Sequence, residues 1–487
     1  MRAPPILRLR LFRLSATSPR GPTMAQGYAD DPARFQAQIG AAEANEDLFS
    51  GLYVAHDADS ESIAGLRRRR RRVANTLSDP IKTVSLVDEN GVLYWRDGIP
   101  GPDLPSRRRR ASRGVLAGPP GTVVLTKQFP VLAPNKVVAA ISAIDRRLNQ
   151  ALDDSLRSRL RPLRKTNDHM SPFAFDPSDT KGPFEGRTLV FVHGTFSNAT
   201  NMLNEFLATS SGEAFLQTAM NGKYDRVLFF EHPTLAVSPV INALELGRAF
   251  AGSSGRIDVV AHSRGGLIVR WWLEAFGSSL LPTPDMPVRV VFAGSPLHGT
   301  SLAAPDKLQT ALSLVANIGS YAEATLKIAG AANPFLWVGG KLVEVIVTVT
   351  GALAKTPILD ALVTLVPGLS AQSAVSNNYE LNRLRLGPCA VQPNYFAIQS
   401  NFETADPGWR FWRNFRAARI GDLAADEIFE GANDLVVDTA SMTDLGDTDF
   451  ALRMSADICD FGTSDTVWHC NYFRQQRAIE YISAKFS

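Results

Sequence analysis

The stretch Arg256-Ile-Asp-Val-Val-Ala-His-Ser263-Arg-Gly-Gly266 constrains this chain more than any other. An apolar run with the β-branched composition of a strand ends at Ala261, and a helical pattern begins within a few residues, spanning Leu267–Phe276. A reversal that sharp brings neighbouring backbone against the residues two before and two after the serine, so both must be small. Ala261 and Gly265 satisfy this requirement. Such an elbow lifts the Ser263 hydroxyl clear of the strand end and aims it at a helix N-terminus, the arrangement of an activated nucleophile. The plainer alternative is that Ser263 is an ordinary helix N-cap.

An independent segment favours the first reading. Thr188-Leu-Val-Phe-Val runs straight into His193-Gly194-Thr195-Phe196. Acyl transfer through a tetrahedral intermediate needs backbone donors aimed at the developing oxyanion. One would be the amide of Arg264, just after the serine; the other the amide of Thr195, with Gly194 allowing close approach. His193 itself reads as a brace for this loop.

From about residue 180 short apolar runs alternate with helical stretches: Thr188–Val192, Arg226–Phe230, Arg256–Ala261, Val288–Ala293, Tyr395–Gln399 and Phe450–Cys459. That alternation predicts an α/β fold with a mainly parallel central sheet, whose strands are buried on both faces. About a hundred residues separate the fourth and fifth runs, far more than a crossover needs. They carry helical, apolar stretches (Leu308–Ala331, Leu336–Ala354, Ile358–Leu365) and predict a helical lid over about 303–388. It would serve as packed subdomain, as a cover giving an apolar acyl pocket, or as both.

The segments Val-His-Gly-Thr-Phe, Ala-His-Ser-Arg-Gly-Gly, Phe-Ala-Gly-Ser-Pro-Leu-His-Gly-Thr, Asn-Asp-Leu-Val-Val and Trp-His-Cys-Asn-Tyr-Phe occur in that order over roughly residues 185–480. Together they resemble the lipase and esterase branch of the α/β-hydrolase superfamily. The resemblance implies a triad in the order Ser, Asp, His. Of seven histidines only His469 lies beyond His298, so that order implies Ser263 as nucleophile and His469 as base, with His298 as the competitor. The implied acid is Asp434, in Asn433-Asp434-Leu435-Val436, although the glycine that follows the acid in many lipases is missing. Asp406 is the alternative acid, and Asp438 reads as a surface or strand-end acid. His232 and His262 would line the site. No cofactor and no metal is implied.

The implied activity is hydrolysis of a small-molecule or lipid carboxylic ester through an acyl-enzyme. A thioesterase or acyltransferase would use the same residues, and an interaction or signalling protein with a secondary hydrolase domain is a third possibility. Support for the third lies upstream. Residues 1–165 hold 28 Lys+Arg against 16 Asp+Glu, a net of +12, while the remainder, at 23 against 32, is −9. Residues 1–30 read as a disordered leader, as a transit peptide or as an over-long start before Met24. Residues 31–165 read as a basic α+β region, with a hairpin at Ile81–Val87 and Val92–Trp95 around Asn90-Gly91, a strand at Gly121–Val131 and a helix at Lys136–Leu152. The runs Arg67–Arg72 and Arg107–Arg110 are solvated linkers or contacts for an anionic surface; no motif points to specific nucleic-acid recognition. Three cysteines (Cys389, Cys459, Cys470) and no zinc spacing suggest a reducing, cytoplasmic setting, with a Cys459–Cys470 bridge as the exported alternative.

Overall fold

A computed structural model describes residues 134–149, 151–153, 155–168, 171–277, 287–303, 366–374, 378–386, 393–403, 432–446 and 454–487, together with four upstream strands. Those strands are β1 (Val54–His56), β2 (Ile81–Glu89), β3 (Val92–Asp97) and β4 (Thr122–Pro130), in an antiparallel sheet of order β1-β4-β2-β3. The register pairs Glu89 with Val92, as a two-residue Asn-Gly turn requires. Both arginine runs, Cys389, Asp406 and most of the expected lid lie outside the described residues.

The eight-stranded sheet has the order β12-β11-β10-β9-β7-β8-β5-β6. Its members are β5 (Arg159–Lys165), β6 (Phe173–Phe175), β7 (Arg187–Val192), β8 (Arg226–Glu231), β9 (Arg256–His262), β10 (Val288–Ala293), β11 (Asn394–Phe402) and β12 (Cys459–Ser464). Strands β7 to β12 run parallel, while β5 and β6 are antiparallel additions at the edge. Successive residues alternate between two cores. Val190, Val192, Val259 and Ala261 pack on one side with Ile268 and Trp272. Leu189, Phe191, Val260 and Val291 pack on the other with Phe206, Tyr472 and Ile479. Burial on both faces explains why these strands read as unbroken apolar runs, and each buried Val, Leu or Phe contributes about 1.5–3 kcal/mol.

Among the described residues the α-helices are α1 (Pro134–Leu148), α2 (Ala199–Leu207), α3 (Ser210–Thr218), α4 (Pro239–Ala249), α5 (Gly265–Arg270), α6 (Pro367–Ser370), α7 (Tyr379–Leu386) and α8 (Gln476–Lys485). Order in the sheet departs from order in the chain at β7: β8 lies on one side of it and β9 on the other. A crevice opens outside the carboxyl ends of strands at such a reversal, and ligands bind there. The ends of β7 and β9 carry the two motifs read from the sequence. This sheet, with the strand–serine–helix elbow after β9, is the α/β-hydrolase fold.

Two expectations change. The sheet begins at Arg159, upstream of the expected boundary at 180, because Arg159-Leu-Arg-Pro-Leu-Arg-Lys165 is an antiparallel strand between β8 and β6 whose buried Leu160 and Leu163 are obscured in sequence by their basic neighbours. The last described strand is Cys459–Ser464; as an edge strand with Gly462 it lacks the apolar composition of a central one, and the first part of the strand expected over Phe450–Cys459 lies outside the described residues. Cys459 and Cys470 are free thiols, so the alternative of a bridge between them is not realised. No helix among the described residues is long and apolar enough to cross a membrane.

Candidate active site

Ser263 follows β9 directly and adopts φ +54, the left-handed region that side chains avoid. Strain of this kind costs about 1–3 kcal/mol and persists only where the surroundings hold it. Here the Ser263 amide donates to Ala293 O at 2.9 Å and its carbonyl accepts from the Gly266 amide at 2.9 Å. A Cβ on Gly265 would lie 2.4 Å from Val192 O, and one on Gly266 would lie 2.4 Å from Ser295 Oγ. The demand for small residues therefore comes from helix α5 pressing against the end of β7.

Ser263, Asp434 and His469 converge. His469 Nε2 lies 2.9 Å from Ser263 Oγ, and His469 Nδ1 lies 2.8 Å from Asp434 Oδ2. All three are buried, Asp434 completely. The acid sits in a tight turn in which its Oδ1 accepts the amides of Val436 and Val437 at 3.1 and 2.8 Å. Leu435, where many lipases have glycine, takes φ +82 and is fully buried. The turn thus keeps its left-handed step with a leucine, held by a bond from its amide to Asn433 Oδ1 at 3.0 Å. Asp438 instead accepts the Ser301 amide at 3.1 Å, and His298 faces Asp444 Oδ2 at 2.6 Å.

The His193-Gly194-Thr195 loop lies beside the serine. His193 is a brace, as expected: its ring stacks on His232 with centroids 3.9 Å apart, and its Nδ1 donates to Gly194 O at 3.0 Å. His232 Nε2 donates to His193 O at 3.1 Å, leaving Nδ1 to accept from Arg264 Nη1 at 3.2 Å. Complete burial, reinforced by the neighbouring His193 and the Arg264 charge, pushes the His232 pKa well below the usual value, so the ring stays neutral. Arg264 also donates through Nη2 to Val237 O at 2.6 Å and Asn242 Oδ1 at 2.7 Å. One residue therefore anchors both sides of the crevice: its backbone belongs to the elbow, and its buried side chain reaches the loop through His232. His262 Nε2 donates to His469 O at 2.8 Å and so supports the base rather than replacing it.

Two contributors escape the motifs. Gln372, just after α6, contacts Thr195 Oγ1 through its amide at 3.0 Å and ties the loop to the segment that follows α6. Asp145 lies in α1, fully buried, and accepts the amides of Thr234 at 2.8 Å, Leu235 at 2.9 Å and Ala236 at 2.5 Å. Burial pushes its carboxyl up, against the pull of those amides and of Arg264. Its trace in the sequence is an acid on the apolar stripe of Ile141, Ile144 and Leu148.

Residues 158–487 match the family model described as Domain of unknown function (DUF7379). The chain belongs to that family. No curated protein matches. Among solved structures, the chain is similar to the mature lipase BlEst2 of Bacillus licheniformis, at 15% identity over 63% of this chain and 94% of that one, with a TM-score of 0.32. Lipase 1 from Pelosinus fermentans aligns at 14% identity over 62% and 97% of the two chains, with a TM-score of 0.36. The Vlm2 thioesterase domain aligns at 12% over 67% and 96%, with a TM-score of 0.26. Helix α1, which supplies Asp145, precedes the part of this DUF7379 member that the family model covers.

Proposed function

We propose that this DUF7379 protein is a serine hydrolase of carboxylic esters. The observation that carries the reading is His469 bridging Ser263 and Asp434 at hydrogen-bonding distance on both sides. In the proposed reaction His469 Nε2 takes the Ser263 proton as Oγ attacks the ester carbonyl. Asp434 holds the imidazole in the tautomer with its free nitrogen toward the serine and stabilises the imidazolium that forms. The amides of Arg264 and Thr195 receive the oxyanion. His469 then protonates the leaving alcohol, and water activated by the same base cleaves the acyl-enzyme. A lipid ester and an anionic surface contacted by the basic upstream runs belong to this proposal as expected partners.

The test is labelling of the full chain by a fluorophosphonate probe, beside Ser263→Ala, followed by turnover of p-nitrophenyl esters of increasing chain length. Labelling that disappears in Ser263→Ala, with turnover lost on the order of a million-fold in His469→Ala but kept in His298→Ala, supports the assignment. A folded wild type that neither labels nor turns over any ester rejects it.

A further inference from the structure

The Asp434 carboxylate is completely buried, and each of its oxygens receives two donors. Oδ1 takes the amides of Val436 and Val437. Oδ2 is shared: His469 Nδ1 lies 2.8 Å from it and the Tyr472 hydroxyl donates to it at 2.8 Å. The Tyr472 oxygen also lies 2.9 Å from Ser400 Oγ; with the tyrosine proton directed at the carboxylate, Ser400 is the donor of that second bond.

The convergence has a place made for it. Gly294, at the end of β10, has φ +54, and a Cβ there would lie 2.6 Å from Tyr472 Cε2, 3.0 Å from Asp434 Oδ2 and 3.2 Å from His469 Nδ1. A missing side chain at one backbone position lets the three groups meet. We infer that Tyr472 is a positioning residue that shares the Asp434 Oδ2 charge with His469 and thereby tunes how readily His469 acts as base. The inference rests on the proposed roles of Ser263, His469 and Asp434.

The physical argument concerns one oxygen. A donor on Oδ2 draws off part of the negative charge that would otherwise stabilise the His469 imidazolium. Without it the whole charge of that oxygen faces the imidazole, which favours the imidazolium over the neutral ring. Burial, and then the Asp434 charge, push the Tyr472 hydroxyl well above its usual pKa, so it stays a donor throughout the working range. Three other titratable groups face this cluster. His262, whose ring lies 4.9 Å from His469, is pulled down to about 3 by burial and by His469, and is neutral. Asp438 and Cys470 both feel the Asp434 charge, and Cys470 also that of Glu205 and Arg474.

The experiment measures kcat and KM for a p-nitrophenyl ester across the acid and neutral range in the full chain, Tyr472→Phe, Ser400→Ala and Ser263→Ala. In Tyr472→Phe the acid limb of kcat/KM moves up by about half to one pH unit. The plateau kcat falls up to about tenfold with KM unchanged. Ser400→Ala, which removes only the bond to the tyrosine oxygen, moves the limb the same way by less. A purely structural tyrosine would lower the yield or the plateau and leave the limb in place. An unmoved limb, or one moving to lower pH, overturns the inference while an inactive Ser263→Ala leaves the triad standing. Wild-type turnover in Ser263→Ala overturns both. If Tyr472→Phe does not fold, Ser400→Ala decides: an upward shift supports the role and an unmoved limb rejects it.

Discussion

Gly194 and Ser263 face each other so closely that a Cβ on the glycine would lie 2.6 Å from the Cβ of the serine. It would also lie 3.2 Å from both His262 Nδ1 and His262 O. Backbone and a side chain buttressed by the base leave the extra methyl nowhere to go. Gly194→Ala is therefore expected to push the loop, and with it the Thr195 amide, away from the crevice. Losing one oxyanion donor lowers kcat about 10²–10³-fold, and here the fold should survive because the loop ends the strand rather than filling the core. Near-normal kcat in Gly194→Ala would exclude the loop as an oxyanion site.

Asp145 holds three successive amides of the segment after β8, which leads to the Arg264 contact at Val237. Asp145→Ala leaves those donors buried without a partner, at about 1–3 kcal/mol each. The full chain carrying it is expected to lose at least about 3 kcal/mol of stability in urea unfolding. A chain truncated to the family match at 158 is expected to behave no better, since it lacks α1 altogether. Equal stability of the truncated and full chains would remove α1 from the hydrolase unit.

Leu435 offers a case in which two effects oppose one another. Glycine at this position would relieve the left-handed backbone by about 1–2 kcal/mol, but it would empty a fully buried leucine site worth about 2–5 kcal/mol. Burial is the larger effect, so Leu435→Gly should lower the unfolding midpoint even though it restores the residue that many lipases carry there. A stabilised variant would mean that strain outweighs packing in this turn.

His232 links pH to stability. Its folded pKa is depressed, so below about pH 6.5 the unfolded chain binds a proton that the folded chain refuses, and folding weakens as pH falls. The expected loss is about 1.4 kcal/mol per pH unit for this histidine until its folded pKa is reached. Half-buried His262 acts in the same direction. Urea unfolding of the wild type and His232→Asn between about pH 7 and about pH 5 should show the shallower dependence in the variant. Parallel curves would mean that His232 accepts a proton in the fold.

What was legible in the sequence was whatever local sterics and strand burial dictate. The small residues flanking Ser263, the apolar runs of the parallel strands and the Asn-Gly turn each follow from contacts within a few residues. The order Ser263, Asp434, His469 followed from a resemblance, and its members stand together in space. The outer strands were harder to read: β5 is rich in basic residues and β12 is polar, so neither carries the signal of a central strand. Leu435 was misleading in the other direction, because a left-handed step normally announces itself as glycine.

By itself the sequence determined the elbow, because a strand running into Ala-His-Ser-Arg-Gly-Gly has no other compact way to turn. It also determined the type of sheet, because runs apolar on both faces must be covered on both. Only the tertiary structure decided which distant groups meet. Asp145 reaches the segment after β8, Gln372 reaches Thr195, Arg264 reaches His232, and Tyr472 shares Asp434 with His469 across the space left by Gly294. Each of these is a buried or part-buried polar contact between residues far apart in the chain. Such partners are chosen by satisfying a donor or acceptor after the elements have packed, and no local pattern records that choice.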